Sequence, residues 1–185
     1  MLPRCLSGQS WQISMIHMLL INSILGYAYN GSDLKEKIEN ATKNHTIKQL
    51  FLSRSDMEKS RLRTETDDGT EIGLSLEPGI TLHNGDVLET DSNLIMIHQL
   101  PEKIISVKLN DDDHSSSIRV QLGHIIGNRH RPLSITSDGS VLFPIHDENE
   151  VELFEKLFSE ILHHISMTVE DKIFVPNQGM NVHEH

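Results

Sequence analysis

From Pro101 onward the apolar residues switch repeatedly between a period of two and a helical period, and few folds accept such an order. Ile104-Ile105-Ser106-Val107-Lys108-Leu109 reads as a strand, and Asn110-Asp111-Asp112-Asp113 as a loop carrying a helix N-cap. Ile118, Leu122, Ile125 and Ile126 then share one face of a helix. Gly127 or Asn128 is placed to end that helix in the left-handed conformation. Strands follow at Leu133-Ser134-Ile135 and Val141-Leu142-Phe143, around the turn Ser137-Asp138-Gly139. Asp147 and Glu150 form a capping pair for a second helix, whose apolar face holds Val151, Phe154, Phe158, Ile161, Leu162 and Ile165. Met167-Thr168-Val169 through Ile173-Phe174-Val175 supplies the last β-segment. Strand, helix, strand, strand, helix, strand is the split βαβ order of a ferredoxin-like domain, expected over residues 101–175.

Upstream the pattern is β. Leu19-Leu20-Ile21 with Ser23-Ile24-Leu25 reads as a short strand ending at Gly26. Residues 30–46 are polar, and Asp33 to Ile38 reads as a helical turn or a solvated insertion with no structure assigned. A strand is expected at Lys48 to Leu52. Alternating segments at Arg61 to Thr66 and Glu71 to Leu76 flank Asp67-Asp68-Gly69, a strong hairpin signal. Turns at Pro78-Gly79 and Asn84-Gly85-Asp86 separate further short segments, of which Val87-Leu88-Glu89 and Asn93 to His98 are the clearest strands. Short strands with Gly-bearing turns indicate an N-terminal antiparallel β-sandwich-like domain over residues 18–100. The fold class is therefore α+β. Residues 1–17 are expected to be a disordered or misassigned extension, and 176–185 a flexible histidine-containing tail.

Lys and Arg number 16 against 27 Asp and Glu, and the net charge of −11 argues against nucleic-acid binding. An acidic surface suits cations or basic partner faces, although solubility alone accounts for much of it. Cys5 is the only cysteine, which excludes an intrachain disulfide and a four-cysteine zinc knuckle and fits a reducing, cytoplasmic setting. The apolar run from Met15 to Tyr29 is interrupted by His17, Asn22 and Ser23 and is too short and polar to span a membrane. Arg4 and the small residues near Ala28 leave a secreted reading open, with glycosylation-type triplets starting at Asn30, Asn40 and Asn44. No P-loop and no Gly-x-Ser-x-Gly elbow is present, no nucleophile–base pair can be named, and an enzyme is not expected.

Histidine stands out, with 12 in the chain. Without paired thiolates, a transition-metal site would draw on imidazole, carboxylate and water, which suits nickel, zinc or copper. His130 closes the run Gly127-Asn128-Arg129-His130 and has two readings. It is a helix-end residue serving only a backbone carbonyl, or a metal ligand that a twofold dimer doubles at its axis. His146, between a strand and the second helix, is either a helix-start residue or a further ligand. His183 and His185 sit in the tail, a solvated end or a short metal-binding tract. His163 and His164, expected on the second helix, would point apart and are read as surface residues, and His124 as packing near the first helix's apolar face. His83 and His98 are assigned no role.

Gly127-Asn128-Arg129-His130, with a β-segment resuming after it, resembles the signature of the urease accessory protein UreE family. Lys59 to Arg63, Thr66 to Leu74, Leu76-Glu77-Pro78-Gly79 and Leu82 to Leu88 are similar to that family's β-domain, and the likeness runs from about Leu19 to about Val175. The resemblance implies a homodimeric nickel metallochaperone that helps assemble the urease active site. Its β-domain would resemble a peptide-binding module, and its ferredoxin-like domain would dimerise. Its partners would be the urease apoprotein and the other accessory proteins, including the GTPase. It carries the interface ligand to His130, a second histidine to His146 and the tail histidines to His183 and His185. Here Pro144 and Ile145 precede a single His146 where some relatives have two histidines, and the tail is short. The alternative from another class is a peptide-binding scaffold whose histidines are incidental. A secreted glycoprotein is a third.

Overall fold

The computed structural model describes residues 18–110 and 116–177. They form two compact units, one of residues up to Leu50 with Lys59–Ile97, the other of Phe51–Glu58 with residues from His98 onward. Helices and several sheets are both present, so the fold is α+β.

The first unit holds β1 (Leu19–Ile21), β2 (Gly26–Tyr27), α1 (Ser32–Lys43), β4 (Arg61–Glu65), β5 (Glu71–Ser75) and β6 (Asp86–Glu89), with most of β3 (Ile47–Leu52) and β7 (Leu94–Gln99). Two sheets form, in the orders β1-β5-β4 and β2-β6-β7-β3. The hairpin expected at Asp-Gly is β4–β5, antiparallel from Arg61 opposite Ser75 to Glu65 opposite Glu71. The sheet is not wholly antiparallel, because β1 runs parallel to β5. Only strands joined by a short turn must run antiparallel, and the long chain between Ile21 and Glu71 leaves β1 free to pair either way. Gly26 opens β2 rather than closing the first strand.

Residues 30–46, expected as a polar insertion, contain the twelve-residue helix α1. Leu34, Ile38 and Ala41 recur at helical spacing and pack with Val87, Leu94 and Met96. Three apolar positions in a charged segment suffice because a sheet face receives them. The sequence alone does not show that face.

The second unit carries β8 (Glu102–Leu109), α3 (Ser116–Gly127), β9 (Ser134–Ile135), β10 (Val141–Pro144), α4 (Asn149–Leu157) and β11 (Ile165–Lys172), preceded by α2 (Arg54–Met57). The sheet order is β11-β8-β10-β9, with every neighbouring pair antiparallel. Ile105 and Val107 of β8 and Phe143 of β10 face Ile118, Leu122 and Ile126 of α3 and Phe154 of α4. Phe154 lies 4.6 Å from Phe143 and 5.7 Å from Phe158, ring centroid to centroid. Each such side chain removed from water contributes about 1.5–3 kcal/mol. Ile104, one residue out of phase with Ile105, joins Leu142 and Phe174 in a separate cluster.

Two expectations change here. The second helix stops at Leu157 instead of running on through Ile165, and Leu162–His164 form one 3₁₀ turn before β11. Phe158, Ile161 and Ile165 keep helix-like spacing because the chain stays wound against the same core, now through bonds such as Ile161 N–H to the Phe158 carbonyl. Residues 51–58, placed by the sequence inside the N-terminal domain, group with the second unit. Arg54 Nε bonds Glu102 Oε1 at 2.8 Å, Phe51 stacks on His98 at 5.1 Å, and Leu100 N–H donates to the Leu52 carbonyl. The expected N-cap residues Asp111 to Asp113 lie outside the described residues.

Both units share one device. Thr66-Asp67-Asp68-Gly69-Thr70 and Thr136-Ser137-Asp138-Gly139-Ser140 close hairpins with the same wiring. Gly69 and Gly139 take φ 81 and 82, which a side chain would strain. Asp68 accepts from both threonine hydroxyls, at 2.6 and 2.8 Å. Asp138 accepts from Thr136 Oγ1 and, at 3.0 Å, from Ser140 Oγ. Hydrogen bonds hold both carboxyls well below the usual carboxylate range, led by Lys48 at Asp68 and by Thr136 at Asp138.

Candidate metal site

At the C-terminus of α3 the backbone tightens. Asn128 N–H still reaches the His124 carbonyl, but Arg129 and His130 donate three residues back, to Ile126 and Gly127, at 3.0 Å each. His130 itself takes the left-handed conformation, φ 50, where Gly127 or Asn128 was expected to do so. The helix runs through Gly127, so the reversal falls later, just before Arg131 and the buried Pro132, which cannot continue a helix. The His130 side chain is exposed and bonds none of the described residues. His45, after α1, is the one other described non-glycine residue with positive φ, at 55. Histidine tolerates this region better than most residues, so the conformation alone does not mark a ligand.

His146 lies between β10 and α4, exposed, and its ring is engaged. Arg131 Nη1 stands 2.6 Å from His146 Nε2, and Arg131 Nη2 donates to Glu150 Oε1. Glu150 Oε2 accepts the His146 backbone N–H at 2.9 Å, while Asp147 Oδ1 accepts from Asn149 and Glu150 N–H. The expected capping pair is therefore present, with Glu150 reaching one residue further back than in a standard capping box. Arg131 and Glu150 were not anticipated as partners of His146. The available signal was spacing, since Glu150 is four residues after His146 and Arg131 directly follows His130.

The other histidines divide differently than expected. His124 is exposed rather than packed, with Nε2 3.0 Å from Asn128 Nδ2. His163 and His164 lie on the 3₁₀ turn, and their rings do not point apart but stand 3.7 Å centroid to centroid. His183 and His185 lie outside the described residues. Among the described residues no three His, Cys, Asp or Glu side chains gather closely enough to hold a metal. No described helix is long and apolar enough to cross a membrane.

Comparison with known proteins bears on these residues. Residues 34–98, from within α1 into β7, match the model of the UreE urease accessory protein N-terminal domain. The urease accessory protein UreE of Yersinia intermedia is 31% identical over 136 residues, covering 69% of this chain and 58% of that protein. Those of Yersinia aldovae and Yersinia pestis (strain Pestoides F) are 29% identical, over 69% of this chain and 57% of each relative. The chain thus spans somewhat over half the length of the relatives it matches. Residues 34–98 are therefore similar to the N-terminal domain of the urease accessory protein UreE family, and the chain is similar over 136 residues to proteins of that family.

Proposed function

We propose that this chain is a nickel metallochaperone, binding Ni²⁺ as cargo at an interface between two copies and delivering it for assembly of the urease active site. The observation that carries the reading is His130: an imidazole exposed, bonded to none of the described residues and fixed by backbone at the end of α3, in a chain similar to UreE. A neutral imidazole is a good nickel donor, and zinc and copper accept the same ligand. With no three-ligand cluster among the described residues of one chain, a further donor comes from a second copy or from the tail. His146, His183 and His185 are the proposed additional ligands.

The strand order β11-β8-β10-β9, with β10 inserted between β8 and β9, supports reading residues 101–175 as the ferredoxin-like, dimerising domain. Two small sheets support a sandwich-like domain over residues 18–100. The protein is proposed to act in the cytoplasm with the urease apoprotein and its other accessory proteins, including the GTPase, and to catalyse no reaction itself.

Equilibrium dialysis against Ni²⁺ with light scattering tests the reading. Wild type is expected to bind one nickel per pair of chains and His130→Ala to lose it. Unchanged stoichiometry in the variant refutes that ligand. The shallow groove where Met18 and Leu20 meet Leu62 and Leu74, beside Arg61 and Arg63, favours a second reading as a peptide-binding scaffold. That reading predicts no tight nickel binding.

A further inference from the structure

Resting on that reading, we infer that Arg131 is a positioning residue that withholds the His146 imidazole from metal until its guanidinium withdraws. Arg131 has donors and no acceptor, so across the 2.6 Å contact it donates and His146 Nε2 accepts. The accepting lone pair is the one a metal would take. A neutral ring whose Nε2 accepts carries its proton on Nδ1, so neither nitrogen offers a free pair. The neighbouring positive charge further opposes a second cation.

The clasp is built to hold and able to open. The side chains of Arg131 and Glu150 are only 14% and 20% exposed, and Glu150 binds both the guanidinium and the His146 backbone N–H. When Arg131 leaves the ring it therefore keeps Glu150, and His146 keeps its backbone anchor. Arg131 Nε is buried with no hydrogen-bond partner among the described residues, an arrangement that structural stability alone would not select. Because Arg131 directly follows His130, a cation arriving at His130 places charge beside the residue that holds His146.

Long-range ¹H–¹⁵N NMR in mildly alkaline, metal-free buffer reads the His146 tautomer. Wild type is expected to show a bare Nε2 and a protonated Nδ1, and Arg131→Met to move the proton toward Nε2. Calorimetric titration with NiCl₂ is then expected to show Arg131→Met binding about tenfold more tightly, a gain removed by adding His146→Ala. In wild type His146→Ala should lower affinity by less than it does in the Arg131→Met background. An unaltered tautomer in Arg131→Met, or an equal effect of His146→Ala in both backgrounds, overturns the inference. Should Arg131→Met fail to fold, Arg131→Gln takes its place, and the wild-type tautomer needs no variant. The tautomer readout requires no metal, so its failure is distinct from failure of the nickel reading, which appears as unchanged nickel binding in His130→Ala.

Discussion

Replacing His130 once by Gly and once by Ala separates the backbone from the ring. At φ 50 any residue with a Cβ is strained by about 1–2 kcal/mol, and glycine is not. The bond from residue 130 N–H to the Gly127 carbonyl, 3.0 Å, needs no side chain, so both variants keep it. The exposed ring bonds none of the described residues, and Ala should match His in stability within about 0.5 kcal/mol. Gly gains the strain relief but loses about 0.4–1 kcal/mol to the greater freedom of its unfolded chain. The Gly variant should therefore exceed the Ala variant by about 0.5–1 kcal/mol, reversing the usual helical order of the two residues. Urea unfolding followed by circular dichroism, metal-free and at matched protein concentration, reads this as a midpoint difference of a few tenths molar, for a slope of about 1–3 kcal/mol per molar. His45, at φ 55, is the internal control. It should show the same Gly-over-Ala order with nickel binding intact, whereas both His130 variants lose nickel. An Ala variant as stable as the Gly variant at either position refutes the strain argument. Nickel loss at position 45 as well would refute the assignment of His130 as the special ligand.

Other consequences can be measured directly. Asp68 and Asp138 have depressed folded pKa values, so their stabilisation is present above the ordinary carboxylate range, about 3.9, and is lost as pH falls below it. The double variant Asp68→Asn, Asp138→Asn should show a flatter acid limb in a stability-versus-pH titration. Phe154→Ala removes a side chain only 1% exposed between two other phenylalanines and should cost about 3–5 kcal/mol in denaturant unfolding. Gly85→Ala combines φ 93 with a Cβ that would meet the Tyr27 and Tyr29 rings at 2.9 and 3.0 Å, and a loss of at least about 1 kcal/mol is expected in the same assay.

Much of the fold was legible because local chemistry and tertiary contacts agree. Asp68-Gly69 and Asp138-Gly139 each combine a carboxylate that accepts from its neighbours with a glycine that supplies the left-handed turn, so both hairpins could be placed from the sequence. Ile118, Leu122 and Ile126 face the core as their spacing requires. The failures have a common cause, which is that the deciding partner lies far along the chain. The apolar positions of α1 gain meaning only opposite Val87 and Leu94, and the parallel pairing of β1 follows from β5, some fifty residues on. Beyond Leu157 the periodicity reports burial against one core, which a helix and a 3₁₀ turn satisfy equally.

The histidines divide along the same line. His130 could be singled out from Gly127-Asn128-Arg129-His130, because the motif is local and carries the backbone that holds the ring. The state of His146 could not, because it depends on an arginine fifteen residues earlier and a glutamate four residues later. The two imidazoles are consequently unequal. One is exposed and bonded to none of the described residues. The other has its lone pair occupied by a cation. On the proposed reading a first nickel therefore belongs at His130, and any use of His146 must follow displacement of Arg131. That order would make the second ligand conditional on the first, so the proposed metal between two copies would tighten only after the pair had formed around it.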